Sequence, residues 1–355
     1  MSKTTIFNPE THALAVYKKE GKLKPFTFNR RHLRENDVAV RILYAGVCHT
    51  DIHTIKNQAN RPLDYPLVLG HEIMGQVIDV GSKVSNLKKG DQVLIGVQVD
   101  SCRVCEHCKA EREIYCVAFP TTTYGTKDRV DGTPNQGGFS TQYVADEHFV
   151  FKMPQGMDAS RSAPLMCAGA TVFAPLSQWK AGPGKTVGVV GIGGLGHLAV
   201  KYARAMGAHV VAFTTSESKI EEIKKLGAHE VVYSKDLQHI QAKRETIDLM
   251  IDTVSSVYTM DPYIWTVKFD GVYSSLGAPG RLDFDPISLM LGRRILTSSA
   301  GGGSTLLREM LEFSAKNNIY PKVEFIKPDY LNTALQRLEK GDVRYRFVMD
   351  LTDGM

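Results

Sequence analysis

The stretch that decides the fold is KTVGVVGIGGLGHLAVKYARAMG, residues 185–207. It opens as an apolar strand, KTVGVV, and runs into glycines. Leu198, Tyr202 and Ala205 then recur at helical spacing, which puts one side of LGHLAVKYARAMG towards a core. Between strand and helix, Gly191, Ile192, Gly193, Gly194, Leu195 and Gly196 spell G-x-G-x-x-G. Alone the motif is weak. Here a strand precedes it and a helix follows, the context that dinucleotide binding requires. Gly191 permits the tight turn, Gly193 lets the backbone approach a pyrophosphate, and Gly196 lets helix and strand pack closely. The helix N-terminus then turns free N–H groups and partial positive charge towards the anion. The duller alternative is a plain tight βα turn.

Outward from this turn the rhythm continues. AHVVAFT (208–214) reads as a second strand, and SESKIEEIKKLG (216–227) as a helix that starts on a serine cap and stops at Gly227. HEVVYS, DLMIDTV, GVYSSLG and ILTSSAGG follow as strands. Alternating strands and helices predict a parallel, doubly wound α/β sheet. The first part, to about residue 155, has a different rhythm. DVAVRILYAGVC alternates, with Val38, Val40 and Ile42 on one face, and HEIMGQVIDVG and KKGDQVLIG follow between turns. This predicts a mainly antiparallel β domain. Residues 120–138 are rich in turn formers and read as a long surface loop. After about residue 300, LLREMLEFSAKN reads as a helix and YRFVMDL as a strand returning to the first domain. The expected domains are therefore 1–155 with 300–355, and 156–299.

The second strand of a dinucleotide fold usually ends on an acidic residue that holds the ribose 2′-hydroxyl. Here the sequence is AFTTSESK, with Thr214 in the acidic position and Thr215, Ser216 and Lys219 behind it. Hydroxyls and an ammonium suit a 2′-phosphate, which a carboxylate would repel. The reading is NADP(H) rather than NAD, although TTSES also suits a helix cap and no arginine stands there.

The 355 residues are too many for one ordinary core and predict two domains. A content of 43% hydrophobic and 23% charged residues is that of a soluble globular protein. The opening MSKTTIFNPE carries no export signal pattern, and no apolar run approaches membrane-spanning length. The net charge of +5 is scattered along the chain, which argues against a nucleic-acid face. The expectation is a cytoplasmic protein, with neither membrane nor nucleic acid as a partner.

Six cysteines carry the rest. In a reducing compartment, close C-x2-C spacing points to metal rather than disulfides. Cys102, Cys105, Cys108 and Cys116 can close a tetrahedral zinc site with no open position, which would hold a lobe at about 100–118. A disulfide knot or an iron–sulfur cluster is the alternative. Cys48 and Cys167 lie elsewhere. GVCHTDIH supplies Cys48, Thr50, Asp51 and His53; LGHE supplies His71 and Glu72; LMCAGAT supplies Cys167. One histidine and two cysteines would make a three-ligand zinc site with an open fourth position. Cys167 as a small core residue and His71 as a structural histidine are the duller readings.

In this order and at these separations, GVCHTDIH, GHE, the four-cysteine lobe, LMCAGATVFAPL and VGIGGLGHLAVKYARAMGA resemble the zinc-dependent medium-chain alcohol dehydrogenases, of the cinnamyl alcohol dehydrogenase type. The likeness runs on through DVRYRFVMDL. It implies a Rossmann NADP-binding domain and a GroES-like catalytic domain, two zinc ions per chain, and a homodimer. It implies hydride transfer between NADP(H) and an aldehyde or primary alcohol in a cleft between the domains. Cys48, His71 and Cys167 would hold the catalytic zinc, with Glu72 as a nearby or exchanging ligand. Asp51 would orient His71, and Arg346 would pair with Glu72. Thr50 would contact the substrate oxygen and His53 would pass the proton on; Thr171 would face the nicotinamide.

Two departures bear on the substrate. The stretch TIKNQANRPLDYPLVL holds no tryptophan, and SSAGGGS (298–304) is smaller than the family's usual segment. The expectation is a broad aldehyde reductase. An NAD-dependent polyol dehydrogenase, disfavoured by Cys167 and Thr214, and a non-catalytic zinc and nucleotide binder are the rivals.

Overall fold

Thr186–Val190 forms a strand with Val187, Val189 and Val190 buried. It is β11 of a computed structural model that describes residues 7–355. The opening residues read for an export signal lie largely outside that range. The chain divides into two units, one ending at Cys167 and resuming at Gly303, the other Ala168–Gly302. The expected boundaries thus move. Residues 156–167 group with the first unit because α3 (Ala159–Ser162) packs on three of its strands, β3, β5 and β18 of the sheet described below.

The second unit is built on β11, β12 (His209–Thr214), β13 (Glu230–Tyr233), β14 (Ile247–Asp252), β15 (Val267–Ser275) and β16 (Ile295–Thr297). All neighbours are parallel and the order is 13-12-11-14-15-16. Renumbered from β11 this is 3-2-1-4-5-6, the Rossmann order, with its switch point between β11 and β14. Helices α4 (Ala168–Gln178), α5 (Gly196–Ala205), α6 (Ile220–Leu226), α7 (Leu237–Gln241), α8 (Asp261–Ile264) and α9 (Ile287–Met290) complete it. On α5, Leu198 and Tyr202 are buried as their spacing predicts, but Ala205 is exposed. It is the last helical residue, and Ala203 and Ala208 line the core around it. A short 3-10 turn, Glu217–Lys219, precedes α6. Ser216 occupies the cap position of that turn without a side-chain cap bond, so the serine cap is positional only. Gly227 does end α6, at φ +118°.

The first unit holds a seven-stranded sheet of β10 (Phe151–Lys152), β6 (Gln92–Ile95), β5 (Ile73–Val80), β3 (Asp37–Val47), β18 (Arg346–Asp350) and β17 (Val323–Ile326), with β9 (Gln142–Asp146) also on β3. A smaller sheet joins β1 (Glu10–Val16), β2 (Lys24–Asn29) and β4 (Leu67–Val68), and β7 (Gln98–Asp100) pairs β8 (Thr121–Thr122). Val38, Val40 and Ile42 of β3 point into one shared core. The helices are α1 (His49–Ile55), α2 (Glu106–Lys109), α3, α10 (Ser304–Lys316) and α11 (Leu331–Glu339). The C-terminal strand does return here, β18 lying antiparallel to β3 with Phe347 opposite Val47.

One expectation fails. The segment 120–138 is not wholly a surface loop, because Thr121, Thr123 and Tyr124 are buried. Arg30 helps to anchor the end of this segment and the chain just after it. The Arg30 guanidinium is buried and donates to Gln136 O at 2.5 Å, Gly137 O at 2.8 Å and Gln142 O at 3.0 Å. It stacks between Phe28 and Tyr143.

Candidate active site

Three strand ends meet in the first unit. β3 ends at Val47, so Cys48 follows at the mouth of α1. β5 pairs antiparallel with β3, Ala45 opposite Ile73, which brings His71 and Glu72 alongside. β18 pairs with the other edge of β3 and starts at Arg346. Cys167 arrives from the turn Ala163–Met166, which packs on β3, β5 and β6. The ligand atoms of Cys48, His71, Glu72 and Cys167 all fall within 4.8 Å of one another.

Asp51 organises this corner. Its Oδ2 accepts from the Cys48 backbone N–H at 2.9 Å, and its Oδ1 accepts from the Gly70 N–H at 3.2 Å. Its Oδ1 also lies 3.4 Å from His71 Nδ1. Arg346 donates to Glu72 Oε1 and reaches within 3.9 Å of Cys48 Sγ. Gly46 has no room for a side chain, since a Cβ there would meet Glu72 Oε2 at 1.9 Å. The hydrogen bond from Cys167 drives the Cys48 thiol well below its ordinary range, against burial, and Arg346 and His71 add to the effect. Cys167 moves up in return. Burial pushes Glu72 up to about 7, against the pull of Arg346.

These features fit a dication. His71 Nε2 is buried and makes no hydrogen bond among the described residues, with Glu72 Oε1 3.9 Å away. Buried polar nitrogens are almost always paired, so this lone pair calls for a ligand. The two sulfurs stand 3.9 Å apart. That is nearly twice a disulfide bond, and close to the ~3.8 Å between thiolates sharing a tetrahedral zinc at ~2.3 Å. Cys48, Asp51, Glu72 and Cys167 crowd four anionic or acidic groups around one arginine, a balance that a divalent ion would correct.

On α1, Thr50 is exposed and its Oγ1 lies 3.6 Å from Cys48 Sγ; His53 follows one turn on, half-buried. The four other cysteines form a second cluster within 4.8 Å, Cys102–Cys108 at 3.8 Å and Cys105–Cys108 at 3.4 Å. None is in a disulfide. The Cys102 backbone N–H donates to the Cys116 sulfur, and the Cys105 N–H donates to the Cys102 sulfur and lowers that thiol. The Cys105 thiol falls to about 6, chiefly through the Cys108 N–H.

In the second unit Gly191 adopts φ +82°, and a Cβ on Gly196 would sit 2.0 Å from Gly191 O. Nothing stands within 4 Å of a Cβ on Gly193. This is the geometry of an anion-receiving turn, and Gly196 begins the ten-residue α5. Thr171 lies in the first turn of α4. Thr214 ends β12 but is buried, and its hydroxyl accepts from the Ser216 N–H at 3.1 Å. The solvent-facing hydroxyls here belong to Thr215 and Ser218, with Ser216 and Lys219 half-buried between and beyond them.

Residues 34–155 match the family model of the alcohol dehydrogenase GroES-like domain, and residues 194–316 that of the zinc-binding dehydrogenases. Vomilenine reductase and cinnamyl alcohol dehydrogenase 2, both of Rauvolfia serpentina, are each 46% identical over 334 residues, 93% of this chain and 92% of theirs. The chain belongs to the zinc-dependent medium-chain alcohol dehydrogenases, of the cinnamyl alcohol dehydrogenase type. A solved relative, CAD from Helicobacter pylori complexed with NADP(H), superimposes with a TM-score of 0.92 at 34% identity, covering 98% of this chain and 100% of its own. Like other members of its family, this dehydrogenase is an oxidoreductase of alcohols or aldehydes.

The geometry of this alcohol dehydrogenase also holds a residue that sequence reading passed over. Tyr124 donates to Asp51 Oδ1 at 2.8 Å and lies 3.3 Å from His71 Nδ1. A single tyrosine in a turn-rich stretch carries no pattern that would mark it. Ser218 was passed over likewise, as one more hydroxyl in SES.

Proposed function

We propose that this chain is a zinc-dependent, NADP(H)-dependent alcohol dehydrogenase working as a broad aldehyde reductase. The observation that carries the reading is the buried, unpartnered His71 Nε2 among the thiols of Cys48 and Cys167. When bound, zinc supplies Lewis acidity at a carbonyl oxygen and the nicotinamide supplies hydride. The chain's own residues do the rest. Cys48, His71 and Cys167 would hold the metal, and Glu72, tethered by Arg346, stands beside them. Asp51 keeps the proton of His71 on Nδ1 so that Nε2 can bind. Thr50 donates a proton towards the substrate oxygen, and His53 replenishes it from solvent. The Cys102, Cys105, Cys108 and Cys116 set holds a second, structural zinc.

NADP(H) is favoured over NAD(H) by the absence of a carboxylate at the end of β12 and by the hydroxyls of Thr215, Ser216 and Ser218 with Lys219. Gly191, Gly193, Gly194, Leu195 and Gly196 would receive the pyrophosphate, and Thr171 would face the nicotinamide. A homodimer is supported by the unpaired edge of β16 and the exposed Met290 and Leu291 next to it. A cytoplasmic location is supported by six free thiols.

The test follows NADPH and NADH oxidation against a panel of aldehydes, with zinc counted per chain. The expected result is aldehyde-dependent turnover preferring NADPH, in protein holding about two zinc ions per chain. Two zinc ions and no turnover with either cofactor would refute the reading.

A further inference from the structure

Tyr124 is buried in a segment without regular structure, yet the segment is braced. The Thr122 hydroxyl donates to Tyr124 O at 2.7 Å, the Thr122 N–H donates to the Thr126 hydroxyl at 3.0 Å, and Asn135 Nδ2 donates to Thr122 O at 3.0 Å. Gly125, at φ +72°, turns the chain away immediately afterwards. The phenol is thereby delivered between two partners, Asp51 and His71, and its ring tilts against the imidazole with centroids 5.8 Å apart.

A phenol has one proton to donate and can accept through its oxygen. The hydrogen bond to Asp51 Oδ1, at 2.8 Å, takes the proton of Tyr124. The oxygen of Tyr124 is then an acceptor facing His71 Nδ1. Both neighbours of Nδ1, the phenol and the carboxylate, demand a proton on that nitrogen. The remaining lone pair is forced onto Nε2, the atom turned towards Cys48 and Cys167. Asp51 also ties the backbone at Cys48 and at Gly70, so one carboxylate steadies two metal-binding segments. Tyr124 locks that carboxylate.

We propose that Tyr124 is a positioning residue for the metal at Cys48, His71 and Cys167, setting the His71 tautomer and ring orientation through its hydroxyl. The proposal rests on reading those three residues as metal ligands. Outer partners of metal-bound histidines are worth about 10–100-fold in metal affinity.

Tyr124→Phe removes the hydroxyl and keeps the ring. Tyr143→Phe is the control, because Tyr143 is also buried and its hydroxyl donates to Thr123 O at 2.9 Å, one residue away from Tyr124, yet it touches no metal ligand. Zinc release is followed with a chromophoric chelator, and Cys48→Ser identifies which equivalent belongs to the three-ligand site. Y124F should weaken that equivalent about 10–100-fold and leave the four-cysteine equivalent unchanged. Y143F should match the wild type at both. With cobalt in place of zinc, the visible bands of the three-ligand site should shift in Y124F and stay put in Y143F. If Y124F does not fold, 3-fluorotyrosine at position 124 keeps the shape while making the hydroxyl more acidic, and should move the same bands. Unchanged affinity and bands in Y124F, unmoved bands with fluorotyrosine, or an equal effect in Y143F would overturn the proposal. A wild-type chain that binds only the four-cysteine equivalent would overturn the metal-site reading, and this proposal with it.

Discussion

Glu113 sits in the four-cysteine lobe, and replacing it with glutamine should loosen a joint between that lobe and α10. Its carboxylate is fully buried and accepts from the Ser304 N–H at 2.9 Å, the Ser304 hydroxyl at 2.8 Å and His148 Nε2 at 2.5 Å. Ser304 opens α10, so the charge also faces the positive end of a 13-residue helix. A Cβ on Gly303 would meet Glu113 Oε2 at 2.4 Å, so the approach is close. Burial alone would raise this carboxyl. The hydrogen bonds from His148 and Ser304 overcome it and bring Glu113 from 4.5 down to about 2.

A carboxyl held lower in the folded chain contributes stability that is complete above its unfolded value and fades as acid protonates the folded form. The window therefore runs from about 4.5 down to about 2. The difference converts to about 3 kcal/mol. Glutamine keeps the shape and one neutral hydrogen bond of about 1 kcal/mol, so E113Q should cost about 2–3 kcal/mol at pH 7. For a unit of this size that lowers Tm by roughly 4–12 °C. The assay is calorimetry or urea unfolding of both chains from pH 7 to pH 3. Acid strips metal from thiolates in both alike, so the gap between them is what is read. The gap should hold to about pH 4.5 and then narrow steadily to pH 3, the end of the measured range. A variant within ~0.5 kcal/mol of wild type at pH 7, or a gap constant into acid, would refute the reasoning. Glu113 touches none of Cys48, Thr50 or His71, so turnover per folded molecule should not change.

Arg346→Met should cost about 3–5 kcal/mol in metal-free protein by leaving Glu72 buried without its partner, and adding Glu72→Gln should restore most of it; urea unfolding of the single and double variants decides. Cys105→Ser should lower Tm and release one zinc equivalent, whereas Cys48→Ser should keep the fold and abolish turnover; melting curves with metal counts would show the opposite pattern if the cysteines are wrongly sorted. Gly196→Ala should abolish cofactor binding or unfold the second unit, because its Cβ would sit 2.0 Å from Gly191 O; NADPH titration alongside a melting curve separates the two outcomes.

What was legible in the sequence was local. The glycine turn carries its own strand and helix, so the 23 residues from Lys185 to Gly207 announce β11 and α5 without help from the rest of the chain. The four cysteines lie within one short stretch and form their cluster wherever that stretch sits. Ala205 fails because periodicity gives a direction and not an end to the surface being faced. Thr214 stands where expected, but the sequence does not tell that its hydroxyl is turned onto the Ser216 N–H. Tyr124 was illegible for a deeper reason. Its role depends on a bend at Gly125 and on partners 73 and 53 residues away. No period or motif encodes such a meeting.

The three-ligand site lies between these extremes. Residue type points to Cys48, His71 and Cys167, but their convergence needs a family likeness, because strand register brings Cys48 to His71 and the packing of the Ala163–Met166 turn adds Cys167. The register shows why the site is sensitive. Phe347 lies opposite Val47 and Ala45 opposite Ile73, so β3 serves as the common reference for Arg346 on one side and for His71 and Glu72 on the other. A slip of one residue in either pairing would turn the affected side chain to the opposite face of the sheet. The buried Glu72 would then lose Arg346, and His71 would lose Asp51. Each such loss strands a charged or polar group away from water, at a cost of several kcal/mol. The polar groups that build the site are therefore also what penalises misregistered β3 pairings, and catalytic geometry and correct sheet assembly are enforced by the same contacts.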